Sequence, residues 1–102
     1  MPVVEIRLTE LALQDLLAIE EFSFATFGRE QTSKYLAGLR EAFVRLGEHP
    51  GIGVARDDVR AGSRSYRYGS HRIYYRASED EVLIQRILHY ARQVRRSMVH
   101  GD

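Results

Sequence analysis

The chain has 102 residues, a formal net charge of +1, no cysteine, 44% hydrophobic residues and 28% charged residues. This length suits one domain with one core, and the composition is that of a folded globular protein. The lack of cysteine excludes disulfides, thiol nucleophiles and cysteine-based metal sites. No apolar run approaches the roughly 20 residues of a membrane helix, and the N-terminus is charged too early for a signal peptide, so we expect a cytoplasmic protein without a membrane partner.

The first half of the sequence predicts one strand followed by two helices. Residues Val3 to Leu8 alternate as a short strand, and Thr9 then stands where the N-cap of a helix is expected. A first helix runs from about Glu10 to a stop at Gly28. A second, clearly amphipathic helix runs from about Glu30 to Leu46. The core stripe of the first helix is predicted to contain Ala12, Leu16, Ile19 and either Phe22 or Ser23.

The second half predicts a long loop and then three strands. The loop, GEHPGIGVARDDVRAGSR, has no usable periodicity, and loops of such length are often functional or mobile. Ser65 to Tyr68 and His71 to Ala77 are predicted as two strands that turn at Gly69 and Ser70, and Val82 to His89 as a third. The basic tail, residues 91–102, need not be ordered.

These elements together predict a single α+β domain over residues 1–102. Their order is β-α-α-β-β-β, with the helical hairpin packed on one face of a small, mainly antiparallel sheet and a basic C-terminal extension. The charge is distributed unevenly, because acidic residues dominate the N-terminal end and arginines dominate beyond Asp58. Lys34 is the only lysine, so almost all the cations are the planar guanidinium groups that suit phosphate or carboxylate.

Residues 66–76, YRYGSHRIYYR, concentrate tyrosine and arginine and contain no acid. Because side chains alternate along a strand, Ile73 shares a face with Tyr75, while Arg72 and Tyr74 share the other face with Arg76. A partly open sheet face would then present guanidinium groups beside phenol rings. Such a surface suits nucleic acid and suits an acidic protein equally well. The alternative is that these are ordinary solvated strand residues.

The sequence offers one constellation that suits proton transfer, in which His89 acts as a base and nearby arginines stabilise a developing phosphorane-like charge. A histidine at the end of a strand is more commonly a capping or packing residue. The four histidines lack the spacing of metal ligands, so we expect neither a metal nor another cofactor.

Four segments in this order resemble the ParE branch of the ParE/RelE toxin superfamily, from about Val4 to Gln93. They are LTELALQDLLAIEEF, YLAGLREAFVRLGEHPGIG, RDDVRAGSRSYRYGSHRIYYR and VLIQRILHYARQ. The resemblance implies a type II toxin that poisons DNA gyrase, trapping it on cleaved DNA and blocking replication. It also implies neutralisation by a ParD-like antitoxin. Poisoning of gyrase in this way requires no catalysis by the toxin.

The alternative that the resemblance leaves is a RelE-type nuclease, which cleaves mRNA on the ribosome without a metal. Arg72, His89 and Arg92 would then be its catalytic residues. The lysine pair that such nucleases carry on the preceding strand is missing here, and no tyrosine follows Arg92. These departures favour the gyrase reading. A third class, a nucleic-acid-binding module without toxicity, is permitted by the arginines, although the nearly neutral chain argues against simple electrostatic binding.

The expected contact residues for the target lie in the basic second half, and direct binding of nucleic acid is left open. They are Arg64, Tyr66, Arg67, Arg72, Tyr74, Arg86, Tyr90, Arg92, Arg95 and Arg96. The expected antitoxin contacts are Leu13, Leu17 and Phe24 on the first helix, because its end is more apolar than one core face requires. The alternative is that these side chains complete a small core. Truncation after Tyr90 is expected to abolish toxicity without unfolding the domain.

Overall fold

The computed structural model describes residues 4–99, and in it Thr9 joins the first strand, β1 (Glu5–Leu8), to the first helix, α1 (Glu10–Phe27). The Thr9 hydroxyl accepts a hydrogen bond from the Ala12 amide at 3.0 Å, as an N-cap does, and donates one to the Gln85 carbonyl at 2.8 Å. The predicted cap is therefore confirmed, and it also ties the helix to the sheet. Val3, the predicted first residue of the strand, lies outside the described residues.

The helical hairpin consists of α1 and α2 (Arg29–Glu48), which are separated by Gly28 alone. Gly28 has a φ of 87°, a conformation that favours glycine, and it ends α1 as predicted. The buried residues of α1 are Ala12, Ile19 and Ser23. Ser23, rather than Phe22, therefore completes the core stripe, and the Phe22 side chain is 67% exposed.

The sheet has five strands in the order β1-β5-β4-β3-β2. Strand β1 runs parallel to β5 (Glu81–His89), and the other neighbours are antiparallel. Strands β3 (Arg64–Tyr68) and β4 (His71–Ala77) form the predicted hairpin. Strand β5 lies between its parallel neighbour β1 and its antiparallel neighbour β4. The α+β architecture expected from the sequence is confirmed. A short strand that was not predicted, β2 (Val54–Ala55), lies within the long loop.

The long loop before β3 is held by specific bonds to the sheet. The Tyr75 hydroxyl donates to the Pro50 carbonyl at 2.6 Å and accepts from the Gly53 amide at 2.9 Å. Further along, the Ser63 hydroxyl donates to the Gln85 side-chain carbonyl at 2.8 Å, and Val59 is buried. The loop is therefore part of the packed structure, and it supplies the edge strand β2.

Each face of the sheet carries a hydrophobic cluster. The helix face packs Ile73, Tyr75 and Ile84 against the buried side of the hairpin. The opposite face, called here the far face, carries a smaller cluster that contains Val59, Tyr74, Leu88 and Val99, with Val94 and Met98 packed against it.

The C-terminal segment, residues 94–99, covers the far face. Val99 is fully buried, and the Met98 carbonyl accepts a hydrogen bond from Arg86 at 2.9 Å. The expectation of a tail without fixed structure therefore does not hold for this segment, because three apolar side chains anchor it to the sheet. Residues 100–102 of the predicted tail lie outside the described residues. Within residues 4–99, neither helix combines the length and the apolar character that a membrane span requires.

Candidate partner-binding surfaces

Two arginines stand directly opposite each other on the far face at the β3–β4 turn. Arg67 of β3 is paired with Arg72 of β4 in the register of the antiparallel ladder. Within residues 4–99, neither arginine forms an ion pair with an acidic residue. Like charges placed directly opposite on a sheet destabilise it. We call these two residues the arginine pair.

Tyr90 and a backbone carbonyl fix the position of Arg67. The guanidinium carbon of Arg67 lies 4.0 Å from the centroid of the Tyr90 ring, and Arg67 Nε donates to the Gly69 carbonyl at 3.0 Å. The Tyr90 ring also stacks on His89, with the ring centroids 4.8 Å apart. The Tyr90 amide donates to the Ser70 carbonyl, which holds the ring over the turn.

Two of the predicted target contacts are not available on the surface. Tyr74 is 1% exposed because the C-terminal segment and Val59 cover it, so its prediction as a contact residue does not fit this structure. Arg86 is committed to Asp15 of α1, which it contacts at 2.7 and 2.8 Å with both side chains only 13% exposed. The pKa of Arg86 is raised mainly by this hydrogen-bonded ion pair. Both residues therefore stabilise the fold.

Arg64 and Tyr66 lie on the helix face of β3, opposite to the arginine pair. Their ladder partners are Tyr75 and Ile73, both core residues of that face. Arg64 donates to the Gly53 carbonyl at 2.7 Å, and the Tyr66 hydroxyl accepts from Arg45 at 3.1 Å. Tyr66 and Arg67 lie on different faces, as strand alternation predicts, so the predicted target contacts do not form one surface.

The remaining predicted contacts lie near the end of the chain. Tyr90 and Arg92 are exposed directly after β5, and Arg95 and Arg96 are exposed at the start of a short 3-10 helix (Arg96–Met98). The segment that carries Arg95 and Arg96 packs on the far face through Val94 and Met98. Arg95 and Arg96 therefore lie on the same side of the sheet as the arginine pair, whereas Arg92 lines a cleft next to α1.

The residues predicted for a nuclease are not gathered at one site. His89 and Arg92 line a cleft of about 680 Å³ between α1 and the end of the sheet, together with Phe22, His71 and Tyr35. Arg72 is not among the lining residues, because its side chain alternates with those of His71 and Ile73 and lies toward the far face.

A tyrosine and two histidines form the wall of this cleft. The Tyr35 hydroxyl lies 2.7 Å from His71 Nδ1 and accepts from the Ser70 amide at 3.1 Å. The rings of His71 and His89 are 6.0 Å apart. Burial lowers the pKa of His71, the neighbouring His89 lowers it further, and Asp15 acts in the opposite direction. Burial also raises the pKa of Tyr35.

An apolar groove lies between α1 and α2 on the outside of the hairpin. Leu17 and Phe24 line it and are 65% and 53% exposed, and Leu13, one turn before Leu17, is 50% exposed. All three predicted antitoxin contacts are thus on the surface and not in the core. Glu20, Glu21 and Arg29 also line the groove, so it combines apolar and charged side chains.

No group of three or more histidine, aspartate and glutamate side chains in residues 4–99 is arranged to hold a metal ion.

Comparison with known proteins identifies the family. The model of the family described as the ParE toxin of the type II toxin–antitoxin system ParDE matches residues 6–94. The chain belongs to the ParE toxin family. A relative named Toxin ParE1 from Caulobacter vibrioides is 36% identical over 89 residues, which are 87% of this chain and 92% of that protein. A protein of the same name from Mycobacterium tuberculosis is 33% identical over 92 residues, which are 89% of this chain and 94% of that one.

Solved structures show the same fold. A chain of the chromosomal ParDE system from P. aeruginosa has a TM-score of 0.71 and 22% identity, with 85% of this chain and 96% of that chain covered. A chain of the toxin–antitoxin complex RelBE2 from M. tuberculosis has a TM-score of 0.59 and 28% identity, with 87% of this chain and 99% of that chain covered. Because the chain belongs to the ParE family, the protein is a ParE-type toxin of a type II toxin–antitoxin system.

Sequence reasoning missed the two groups that position Arg67. Gly69 supplies the carbonyl that Arg67 binds, and Tyr90 supplies the ring beneath it. Neither role has a local sequence signal. Tyr90 is brought close to Arg67 by tertiary structure, in which the Tyr90 amide bonds to the Ser70 carbonyl in the β3–β4 turn. The covering of Tyr74 did have a signal: Val94, Met98 and Val99 interrupt an otherwise basic tail.

Proposed function

We propose that this toxin acts on DNA gyrase, trapping it on cleaved DNA, and that the arginine pair and the exposed tail arginines contact the gyrase–DNA complex. The observation that carries the proposal is the arginine pair, two adjacent cations without an acidic partner in residues 4–99. Membership of the ParE family supports gyrase as the target. Such a poison acts by binding one state of the enzyme more tightly than the others, so it needs a surface rather than a catalytic centre.

The positions of Arg72 and His89 support gyrase over mRNA cleavage. A general base and the groups that stabilise the phosphate must act on the same phosphodiester, which requires their side chains to converge. In this protein Arg72 lies toward the far face, whereas His89 contacts His71 near the helix face.

The proposed inhibitor of the toxin is a ParD-like antitoxin that binds the groove between α1 and α2. Exposed Leu13, Leu17 and Phe24 offer an apolar stripe at helical spacing, as grooves that bind amphipathic segments do. Because Glu20 and Glu21 lie along the groove beside Arg29, the bound segment would carry a cation near these glutamates and an acid near the arginine.

The test is a supercoiling assay with purified gyrase, run beside mRNA cleavage on programmed ribosomes. The toxin is expected to inhibit supercoiling and to accumulate cleaved DNA. Replacement of the pair by Arg67→Gln and Arg72→Gln should remove this inhibition, whereas Arg40→Gln, an exposed arginine on α2, should leave it intact. Untouched gyrase together with codon-positioned mRNA cuts would overturn the proposal in favour of a ribosome-dependent nuclease.

A further inference from the structure

Arg67 is held in place by neutral groups, so its positive charge is not compensated. Its Nε is bonded to the Gly69 carbonyl, and its guanidinium rests on the Tyr90 ring at 4.0 Å. Neither partner is an anion. Ordering a long side chain for a ligand costs conformational entropy, and here the fold has already ordered it. The two terminal nitrogens of Arg67 donate to no acceptor within residues 4–99 and form the open end of the guanidinium fork.

Arg72 adds a second cation beside this fork. Residues directly opposite in an antiparallel ladder have Cβ atoms about 5 Å apart, so the two guanidinium groups can reach the same anion or two neighbouring ones. Their mutual repulsion is relieved when an anion lies between them. Guanidinium groups bind phosphate with two parallel hydrogen bonds, which gives them strength and direction.

The aromatic rings near the arginine pair are already occupied. The Tyr90 ring contacts Arg67 and also stacks on His89, and Tyr74 is buried. Tyr66 and Tyr68 pack into the core of the helix face. Recognition of single-stranded nucleic acid depends on bases that stack on free aromatic faces. This surface therefore suits the phosphate backbone better than it suits unpaired bases.

We infer that the arginine pair binds the phosphates of duplex DNA directly. The inference rests on the proposed function, in which DNA held by gyrase lies next to the toxin, and it assigns this part of the contact to DNA rather than to gyrase. Arg95 and Arg96 lie on the same side of the sheet and extend the basic surface, while α1 carries Glu20 and Glu21 on the hairpin. A duplex presents one negative charge per about 1.7 Å of its axis and matches such a surface better than scattered carboxylates do.

The experiment measures binding of the complete toxin to a short fluorescein-labelled DNA duplex of mixed sequence, without gyrase. Fluorescence anisotropy gives the affinity at salt concentrations from about 50 to 200 mM. The comparison includes the Arg67→Gln/Arg72→Gln variant, the Arg40→Gln control and a single strand of the same sequence. Unchanged melting temperatures establish that the variants are folded. A third variant, Arg67→Lys/Arg72→Lys, keeps both charges and removes the planar forks.

The wild type is expected to bind the duplex more tightly than the single strand. Because each phosphate contact contributes a slope of about 0.9 to the plot of log affinity against log salt, the double glutamine variant should lose about 2 from this slope. The lysine variant should retain the slope and bind more weakly than the wild type, and Arg40→Gln should match the wild type.

Three results would overturn the inference. The first is that the double glutamine variant binds the duplex as tightly as the wild type does, and the second is that the wild type binds the single strand more tightly than the duplex. The third is that the wild type does not bind DNA, while the double glutamine variant loses affinity for DNA-free gyrase. The last result would assign the pair to carboxylates of the enzyme. Salt-dependent DNA binding that requires the pair, in a toxin that leaves gyrase untouched, would support the inference and refute the proposed target, so the two failures are distinguishable.

Discussion

Asp15 of α1 and Arg86 of β5 form a bidentate ion pair across 71 residues of chain. Asp15 Oδ2 also accepts a hydrogen bond from the Ile87 amide at 3.0 Å, and the Arg86 guanidinium donates to the Met98 carbonyl. One carboxylate thus holds the free edge of β5, and its partner holds the C-terminal segment. The ion pair therefore links α1, β5 and the C-terminal segment at a single point.

Replacement of Asp15 by asparagine should destabilise the protein by about 3 kcal/mol, because it leaves a nearly buried arginine without its counter-charge. Urea unfolding measures the change in free energy. The matched control is Glu30→Gln, which breaks the exposed pair of Glu30 with Lys34 and should cause no measurable loss. Equal effects of the two substitutions would show that the Asp15–Arg86 pair adds nothing to stability.

The elements of this fold could be predicted from the sequence because local signals specify them. Thr9 and Gly28 mark the ends of α1, and the apolar periodicity of α2 is clear. The covering of the far face could not be predicted in the same way. Strand alternation assigned Tyr74 to the face of Arg72 correctly, but which of these side chains is buried depends on a segment that returns over the sheet from a distant part of the chain.

The sequence identified arginines and tyrosines as candidate contact residues, but it did not show which of them are exposed and which stabilise the fold. Of the ten predicted target contacts, Arg67, Arg72 and the residues after β5 remain on the surface, whereas Arg86 and Tyr74 serve the fold. An arginine that pairs with Asp15 and one that is free have the same local sequence signal. The difference arises from tertiary contacts alone.

Truncation after Tyr90 should unfold or strongly destabilise the domain, contrary to the expectation from sequence. It would remove Val99 and Met98 from the far-face cluster and expose Leu88 and Tyr74, at a cost of about 3 kcal/mol or more. Thermal melting of the truncated chain measures this loss. The contribution of the tail to toxicity is better tested by Arg95→Gln with Arg96→Gln, which should keep the melting temperature. A truncated chain that melts like the wild type would contradict the structural role of the segment.

The groove on the hairpin should lose antitoxin affinity when its apolar residues are made polar. Leu17→Ser with Phe24→Ser should weaken the complex with the cognate antitoxin about 30-fold or more, because the loss of about 1 kcal/mol at each of two contact residues amounts to about 2 kcal/mol. Stability should change little because both side chains are more than half exposed. Isothermal titration calorimetry and thermal melting separate the two effects.

Phe22→Ser is the matched control for the groove, because Phe22 is equally exposed and lies on the other flank of α1 in the separate cleft. It should leave antitoxin affinity unchanged. A lower melting temperature with unchanged affinity in the Leu17 and Phe24 variant would assign these residues to the core instead.

Stability should fall on mild acidification because of His71. Its pKa in the folded protein is lowered from the ordinary value of 6.5, so the unfolded chain binds the proton first as the pH falls. The unfolded state is therefore favoured progressively from about pH 7 downward until the pH passes the folded-state pKa. His71→Asn keeps an acceptor near Tyr35 and should reduce this pH dependence, whereas His49→Asn, at an exposed site, should not. An unchanged slope for His71→Asn in urea titrations between pH 7 and 5 would exclude His71 as the source.

Gly38 of α2 provides the space in which the Tyr68 ring meets the helix. A Cβ atom at this position would lie 2.6 Å from Tyr68 Cζ and closer still to its hydroxyl oxygen. Alanine normally stabilises a helix interior by about 1 kcal/mol relative to glycine, but here the overlap should reverse the sign and cost about 1 to 3 kcal/mol. Combining Gly38→Ala with Tyr68→Leu removes the ring and should recover part of the loss, which urea unfolding of both variants would measure. Stabilisation by Gly38→Ala alone would mean that Tyr68 moves away from α2 without cost.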